Sequence, residues 1–442
     1  MSLPKNALYT NKINSSYARN YQSVIQPQNG DATFNDTIIF NIPTGNNLVM
    51  SGADTVLKFD LTIRAGDNAN GNVNNSVFFN KAGAYGCFQR MRILHGGTML
   101  SDIDNYANLM DMLVVSQQST DILGAKYKIL AGTDVRGGSN LGAIGANAEP
   151  TFSFCIPLVS ILSLTHNYVP LFAMSGSPLR IELQVVNNVN QIAKSFVAIR
   201  PPITKSLITR CELVCNMIEM SDTGMTIVKN AIGSGPLQWV VSDYRNYGNN
   251  VTLGTAETTV SVPVPAKFNS LNSLFFSFRL NASGALNTIH ANESCNFGLL
   301  EYYLRIGSRT LPIKPPNTRP EIFSELLRAF GTVSDINHEC AIDLEQYNAV
   351  IPVPITAGIV AANPQVPQNT GAFYVGVDLE SYSNTSMDMV YTGTNTSNDD
   401  IFFTPKFAGQ AANPGALSVR IDAYALFDQL VLIQNGTCTI NN

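Results

Sequence analysis

Apolar and polar residues alternate with a period of two along most of this chain. Leu57, Phe59, Leu61 and Ile63 alternate with Lys58, Asp60, Thr62 and Arg64, the pattern of a strand with one buried face. Phe152, Phe154 and Ile156 repeat it, as do Leu179, Ile181, Leu183 and Val185. Further on come Val260, Val262 and Val264, then Leu274, Phe276, Phe278 and Leu280. Phe373, Val375, Val377 and Leu379 follow, and finally Leu417, Val419 and Ile421. Turn-rich stretches at 66–75, 137–150 and 384–400 separate these runs. Helical periodicity is confined to two places. Tyr106, Leu109, Met110, Leu113 and Val114 form one apolar stripe. Ile322, Phe323, Leu326, Leu327 and Phe330 form the other, behind Pro320 and before Gly331. The pattern predicts an all-β chain with one short helix in each half.

The two halves repeat a phrase. Residues 91–113 and 302–327 each pass from an alternating run through Gly-x-x-x-Leu into a polar turn and an amphipathic helix. Aligned on that motif, Gly96 falls on Gly307, Leu100 on Leu311, and Met91 and Ile93 on Tyr302 and Leu304, so the buried faces stay in phase. A slip of one residue would turn every apolar side chain to the wrong face. Ile38–Pro43 and Val260–Pro265 precede a longer strand in both halves, and Leu179-Arg180-Ile181-Glu182-Leu183 reads like Val419-Arg420-Ile421-Asp422-Ala423. A tandem duplication accounts for this order. Copies of about 200 residues suit two tandem eight-stranded jelly rolls. The expected division is an N-terminal arm at 1–30, a first jelly roll at 31–220, a linker at 221–235 and a second jelly roll at 236–442. Helices do not alternate with strands, which excludes a parallel α/β fold.

Composition narrows the function. Charged residues make up 13% of the chain, about half the usual share, so its polar surface is mostly neutral. A net charge of −5 excludes a protein that coats nucleic acid, and no sequence-specific nucleic-acid contact is expected. No run reaches the length of a membrane span, and the first residues lack the apolar stretch of a signal peptide. Seven scattered cysteines, an odd number, read as free thiols formed in a reducing compartment.

At Pro170-Leu171-Phe172-Ala173-Met174 followed by Leu179-Arg180-Ile181-Glu182-Leu183, the chain resembles the double jelly-roll major capsid proteins of tailless icosahedral DNA viruses. The large-DNA-virus members carry a similar Pro-Leu-Ile-Ala-Leu…Val-Arg-Ile phrase near the end of the first roll. This chain has Ser175-Gly176-Ser177-Pro178 where they have an aromatic–histidine link. Its length and its Gly-x-x-x-Leu phrase suit the smaller virophage and polinton-like members. The resemblance implies a structural protein of the virion, assembled inside the host cell as homotrimeric, pseudo-hexagonal, hexon-type capsomers. Partners would be neighbouring capsomers, penton and minor capsid proteins, with an internal membrane or the genome reached through residues 1–30. Two other readings remain: a tandem β-sandwich that binds or processes carbohydrate, and a penton or spike protein.

No constellation in the sequence makes an enzyme. His95, His166, His290 and His338 lie far apart. In His338-Glu339-Cys340, neighbours on an extended segment point to opposite faces, and Cys211 with Cys215 lacks a second pair for zinc. Gly137, Gly138, Gly142 and Gly145 precede no Lys and read as a flexible crown, not a phosphate cradle. Asp102, Asp104 and Asn105 read as a helix N-cap cluster, and Asp399 with Asp400 as a polar loop. The sequons at Asn35, Asn250, Asn281, Asn292 and Asn435 arise by chance in a chain this rich in Asn, Ser and Thr. No catalytic residue, metal or cofactor is expected. Lys5, Lys12 and Arg19 are the only charges before residue 31, all positive, in a segment without strand-length alternation.

Overall fold

A computed structural model of the chain describes residues 18–65, 75–133, 140–144, 149–165, 168–187, 191–195, 203–233, 235–281, 291–335, 337–352, 371–381, 391–409 and 417–441. The first half carries β1 (Ala18–Ile25), β2 (Thr37–Ile42), β3 (Leu48–Ala65), β4 (Asn75–Phe79), β5 (Phe88–His95), β6 (Thr98–Asp104), β7 (Asn140–Ile144), β8 (Thr151–Pro157), β9 (Leu179–Val185), β10 (Ala193–Ser195) and β11 (Ile203–Met220). The second carries β12 (Leu237–Leu253), β13 (Thr258–Thr259), β14 (Val262–Val264), β15 (Leu271–Leu280), β16 (Leu299–Ile306), β17 (Arg309–Leu311), β18 (Tyr374–Asp378), β19 (Ile401–Phe407), β20 (Leu417–Gln434) and β21 (Thr437–Asn441). Three helices matter here: α1 (Tyr106–Gln117), α2 (Asp222–Ile232) and α3 (Arg319–Ala329). None is long and apolar enough to cross a membrane.

Each half is a sandwich of two antiparallel sheets with four main strands apiece. The first pairs β1-β11-β3-β8 and β2-β9-β5-β6; the second pairs β12-β20-β15-β18 and β14-β19-β16-β17, with β21 added on β20 and β13 on β19 to make five strands in each of its sheets. Numbered by position among its eight main strands, each half reads 1-8-3-6 and 2-7-4-5. That identity of order is the duplication expressed as topology, and it makes both halves jelly rolls. The shared phrase falls on the hairpin between the fourth and fifth strands. His95 pairs with Thr98 around Gly96, and Ile306 with Arg309 around Gly307. These two glycines have φ of 58° and 54°, the left-handed backbone that two-residue hairpin loops require. α1 and α3 then follow in equivalent connections, as their stripes predict.

Three expectations need correction. Residues 18–25 do not belong to a loose arm. They form β1, the outermost strand of its sheet, paired along its whole length with Leu213–Met220 of β11, with Arg19 bridging Glu219 at 2.6 Å. β1 is exposed along most of its length, so its side chains carry little alternation; backbone hydrogen bonds to β11 hold most of it. The stretch 221–235 is not a plain linker. Ser221 caps α2 by accepting from the Gly224 amide, Asp222 sits in its first turn and Gly233 closes it. Last, the two Arg-Ile-acid phrases are not equivalent. Leu179–Leu183 lies in the seventh strand of its roll, whereas Val419–Ala423 lies in the eighth.

A small sheet, β10-β4-β7, is built from the three connections that open at one end of the first roll. Gly142 belongs to it; Gly137, Gly138 and Gly145 lie outside the described residues. Ala18 and Met220 sit at the opposite end, because β1 runs parallel to β3, whose far end leads into that small sheet.

In the second roll, α3 lies across the outer face of β18 and β15. An added Cβ at Gly376 would stand 2.8 Å from the Ala329 Cβ and 2.9 Å from the Leu326 Cα. Gly376→Val is expected to destabilise the fold by about 1–3 kcal/mol, read as a fall in the urea midpoint, since neither helix backbone nor strand can yield. An unchanged midpoint would show that α3 is not packed there.

Candidate functional site

The chain's most elaborate chemistry lies where the two rolls meet. α1, from the first roll, is buried on nearly every side, which an amphipathic surface helix is not. It sits against the outer face of the second roll's β15 and β20. Asn108 Nδ2 donates to Ser277 Oγ and to the Tyr424 hydroxyl, each at 2.8 Å, and Tyr424 donates to the Asn105 carbonyl at 3.1 Å. Lys81 Nζ lies 3.2 Å from Asp111 Oδ2 and donates to the Gly371 carbonyl at 3.2 Å; Tyr374 donates to Asp111 at 2.9 Å. Lys81 and Asp111 are almost wholly buried. Burial pushes the Asp111 carboxyl up, opposed by the Lys81 ammonium and the Tyr374 hydroxyl.

β6 continues the contact along β12, β20 and β21. Ser101 donates to Asp243 at 2.9 Å, Gln429 to the Leu100 carbonyl at 3.0 Å and Thr98 to the Cys438 carbonyl at 3.0 Å. Asp243 is fully buried, its second oxygen has no hydrogen-bond partner, and burial raises its carboxyl to about 7. Asp422 behaves differently. Burial alone would raise it, yet Arg279 and Arg420 hold it below the usual carboxylate range. Arg279 Nε and Arg420 Nε each lie 2.9 Å from it, and Asn105 Nδ2 lies 3.2 Å away. A polar cleft of about 680 Å³ opens above this group, lined in part by Arg90, Asp102, Arg245 and Arg279.

The sequence candidates resolve as structure. Asn105 stands at the N-cap of α1 with φ of 49°, but its side chain turns to Asp422 instead of capping. Asp102 is held by Arg90 at 2.5 and 2.6 Å, and Asp104 accepts from Gln89 at 3.3 Å. His95 Nε2 lies 3.2 Å from the Met174 carbonyl. His338 Nε2 and the Ala341 amide reach the carbonyls of Ser116 and Val115 at 3.1 and 3.0 Å, and Cys340 also approaches Val115. The second roll thus satisfies the last carbonyls of α1, and Glu339 points to solvent. His166 and His290 lie outside the described residues. Cys211 and Cys215 are buried free thiols, both pushed up to about 12 by burial. Asp400 meets Lys267 at 3.3 Å on the surface, and Asp399 lies beside Gly307. Among the described residues no group of three or more ligating side chains could hold a metal. Trp239 is buried, its indole donating to Thr165 at 3.1 Å, so it offers no platform for a sugar ring. The Ser175–Pro178 departure has a packing reason. Gly176 donates to the Gly436 carbonyl at 3.1 Å, and a side chain there would strike that carbonyl in the β20–β21 hairpin.

Two jelly rolls of one order, joined in one chain, define the double jelly-roll fold. Solved capsid structures share it end to end. The PBCV-1 virus capsid protein matches with a TM-score of 0.61 and 11% identity, covering 98% of this chain and 99% of that one. The Faustovirus major capsid protein matches at 0.57 and 13%, covering 97% and 94%. The mavirus major capsid protein matches at 0.54 and 11%, covering 100% and 95%. No protein-family model and no curated protein sequence matches this chain.

Two outcomes test the seam. Lys81→Met should cost about 3–5 kcal/mol by leaving the Asp111 charge buried without its cation, whereas Lys81→Met with Asp111→Leu should cost less than the single change. A double variant no better than the single one would show that the pair is not coupled. The second outcome concerns pH. Asp243 titrates near 7 folded against 3.8 for a free side chain, so the folded chain holds the extra proton between those values. Its contribution is complete below about pH 3.8 and is lost as pH rises through about 7. Asp243→Asn should therefore gain urea resistance relative to the parent as pH rises from about 5 to about 8. A constant difference across that range would show that Asp243 ionises normally.

Proposed function

We propose that this chain is a major capsid protein, assembling as homotrimeric, pseudo-hexagonal capsomers that tile an icosahedral viral shell. One observation carries the reading: a single chain holds two jelly rolls of identical strand order, and its full length overlays solved capsid proteins. Two rolls per chain give six around a threefold axis, so a trimer is the smallest assembly with a near-hexagonal outline. The connection between fifth and sixth strands supports an oligomer. In the second roll it exposes Ile313, Val333, Leu344, Val350 and Ile351, and in the first Ile129. Apolar side chains gathered on equivalent connections fit burial against neighbouring subunits. Of the loop at 384–400, Thr394 and Thr396 bond back to their own roll through Leu271 and Phe268, which leaves the connections above as the stronger candidates for the trimer seam.

No enzymatic role is assigned. The protein would reside in the virion, in contact with neighbouring capsomers, penton and minor capsid proteins. Residues 1–17 of the expected arm lie outside the described residues; Ala18, where β1 begins, sits at the end opposite the small β10-β4-β7 sheet. An internal membrane or genome would lie on that side of the shell. The carbohydrate-binding reading loses its aromatic platform with Trp239 buried.

Light scattering on the purified protein should give a mass near that of three chains, persisting on dilution. Obligate interfaces of this kind bury more than about 2,000 Å² in total. A stable monomer at micromolar concentration would overturn the capsomer reading.

A further inference from the structure

The polar cleft between the rolls, about 680 Å³, keeps cationic donors in reserve after its own pairs are made. Arg90 is committed to Asp102, and Arg279 gives its Nε to Asp422 beneath the cleft. Arg420 gives only its Nε to Asp422; its terminal nitrogens make no hydrogen bond among the described residues. Arg245 makes no salt bridge among the described residues. It interacts with the Tyr247 hydroxyl, and its guanidinium lies over Phe268 and Phe427, 5.5 Å from each ring centroid. The lining acids are Asp102 and Asp104, and Asp104 accepts from Gln89 and Asn105 at 3.3 and 3.4 Å. Four lining arginines against these two acids and Asp422 leave the cleft positive, in a chain of net charge −5.

Asn246 supplies an independent sign. It lines the same cleft, and its Nδ2 is buried without a hydrogen-bond partner. A chain of contacts fixes which way that amide points. Asp422, held ionised by its two arginines, accepts from Asn105 Nδ2 at 3.2 Å, and the same nitrogen lies 3.3 Å from Asn246 Oδ1. Asn246 Nδ2 is therefore the end turned away, a buried donor that lacks an acceptor. Two residues on, a Cβ at Gly248 would stand 2.7 Å from Arg420 Nη2, so glycine leaves that guanidinium room to approach β12. Asn246 and Gly248 share one face of the strand, about 7 Å apart, which brings both donors to one patch of wall.

We propose that this cleft binds a compact oxyanion, a phosphate or carboxylate group carried on a small polar molecule. Arg245 and Arg420 offer charge-assisted donors and Asn246 a neutral one, and an anionic oxygen accepts from both kinds. No aromatic side chain appears among the described lining residues, so a nucleobase would find no ring to stack on. The lining comes from both rolls, and a bound oxyanion would therefore stabilise the seam. Nothing in this site depends on the capsid reading.

Equilibrium dialysis of the full-length protein against radiolabelled inorganic phosphate, at constant ionic strength in sodium chloride, should show one saturable site per chain. Asn246→Asp, which puts a carboxylate where the donor stood, should weaken binding by about tenfold or more, as should Arg245→Gln. The second variant changes a partly exposed side chain and keeps the test open if the first folds poorly. Arg305→Gln, whose guanidinium lies over Phe402 and not in the cleft, should bind as the parent does. Phosphate should also raise the parent's melting temperature saturably, and raise that of Arg245→Gln only at higher concentration. A parallel arm with labelled citrate separates the two sources: whichever anion binds more tightly is the class the cleft prefers, and either supports an oxyanion site. Equal retention of phosphate by parent and both cleft variants, or no saturable binding of phosphate or citrate, would overturn the proposal.

Discussion

The buried charges at the seam, Lys81, Asp111 and Asp422, draw their solvation from both jelly rolls, and the rest of the structure depends on that constraint. Lys81 and Asp111 come from the first roll, whereas the Gly371 carbonyl and the Tyr374 hydroxyl that complete their shell come from the second. Asp422 and Arg279 belong to the second roll, yet Asn105 of the first supplies a donor to the carboxylate. Separating the rolls would leave these groups short of partners, and breaking one such pair costs several kcal/mol. A purely apolar contact of the same area would hold the rolls together but tolerate sliding. A polar seam favours one register, because its donors and acceptors meet only when both rolls are held in place.

The same seam explains why the two halves, though duplicated, are not interchangeable. β15 is buried from Leu271 through Arg279, on both of its faces. Its inner face packs into the second core, while its outer face lies beneath α1 and α3, with Phe275 stacked on Phe330 at 4.5 Å. Equivalent helices thus take unequal work. α3 covers its own roll, whereas α1 packs between its own roll and the neighbour and has its last carbonyls satisfied by residues 338–341. Two similar sandwiches become one asymmetric, fixed body.

What the sequence by itself determined was whatever depends on one strand and one buried face. Period-two runs located strands of both cores, two stripes located α1 and α3, and Gly96 and Gly307 marked equivalent hairpins, because each signal is local and set by burial or backbone sterics. Tertiary structure decided the rest. β1 escaped notice because an exposed edge strand pairs through its backbone and needs no pattern. The two Arg-Ile-acid phrases looked equivalent because salt-bridged, half-buried strands favour similar residues wherever they sit; pairing alone separates a seventh strand from an eighth. His338 and Cys340 resembled ligands, and only the fold brought the end of α1 to them. Nothing around Asp243 in the sequence marks it as buried, since its environment comes from Ser101 and from β20, both distant along the chain. Local patterns carry the elements, and contacts between distant residues carry the chemistry of the seam.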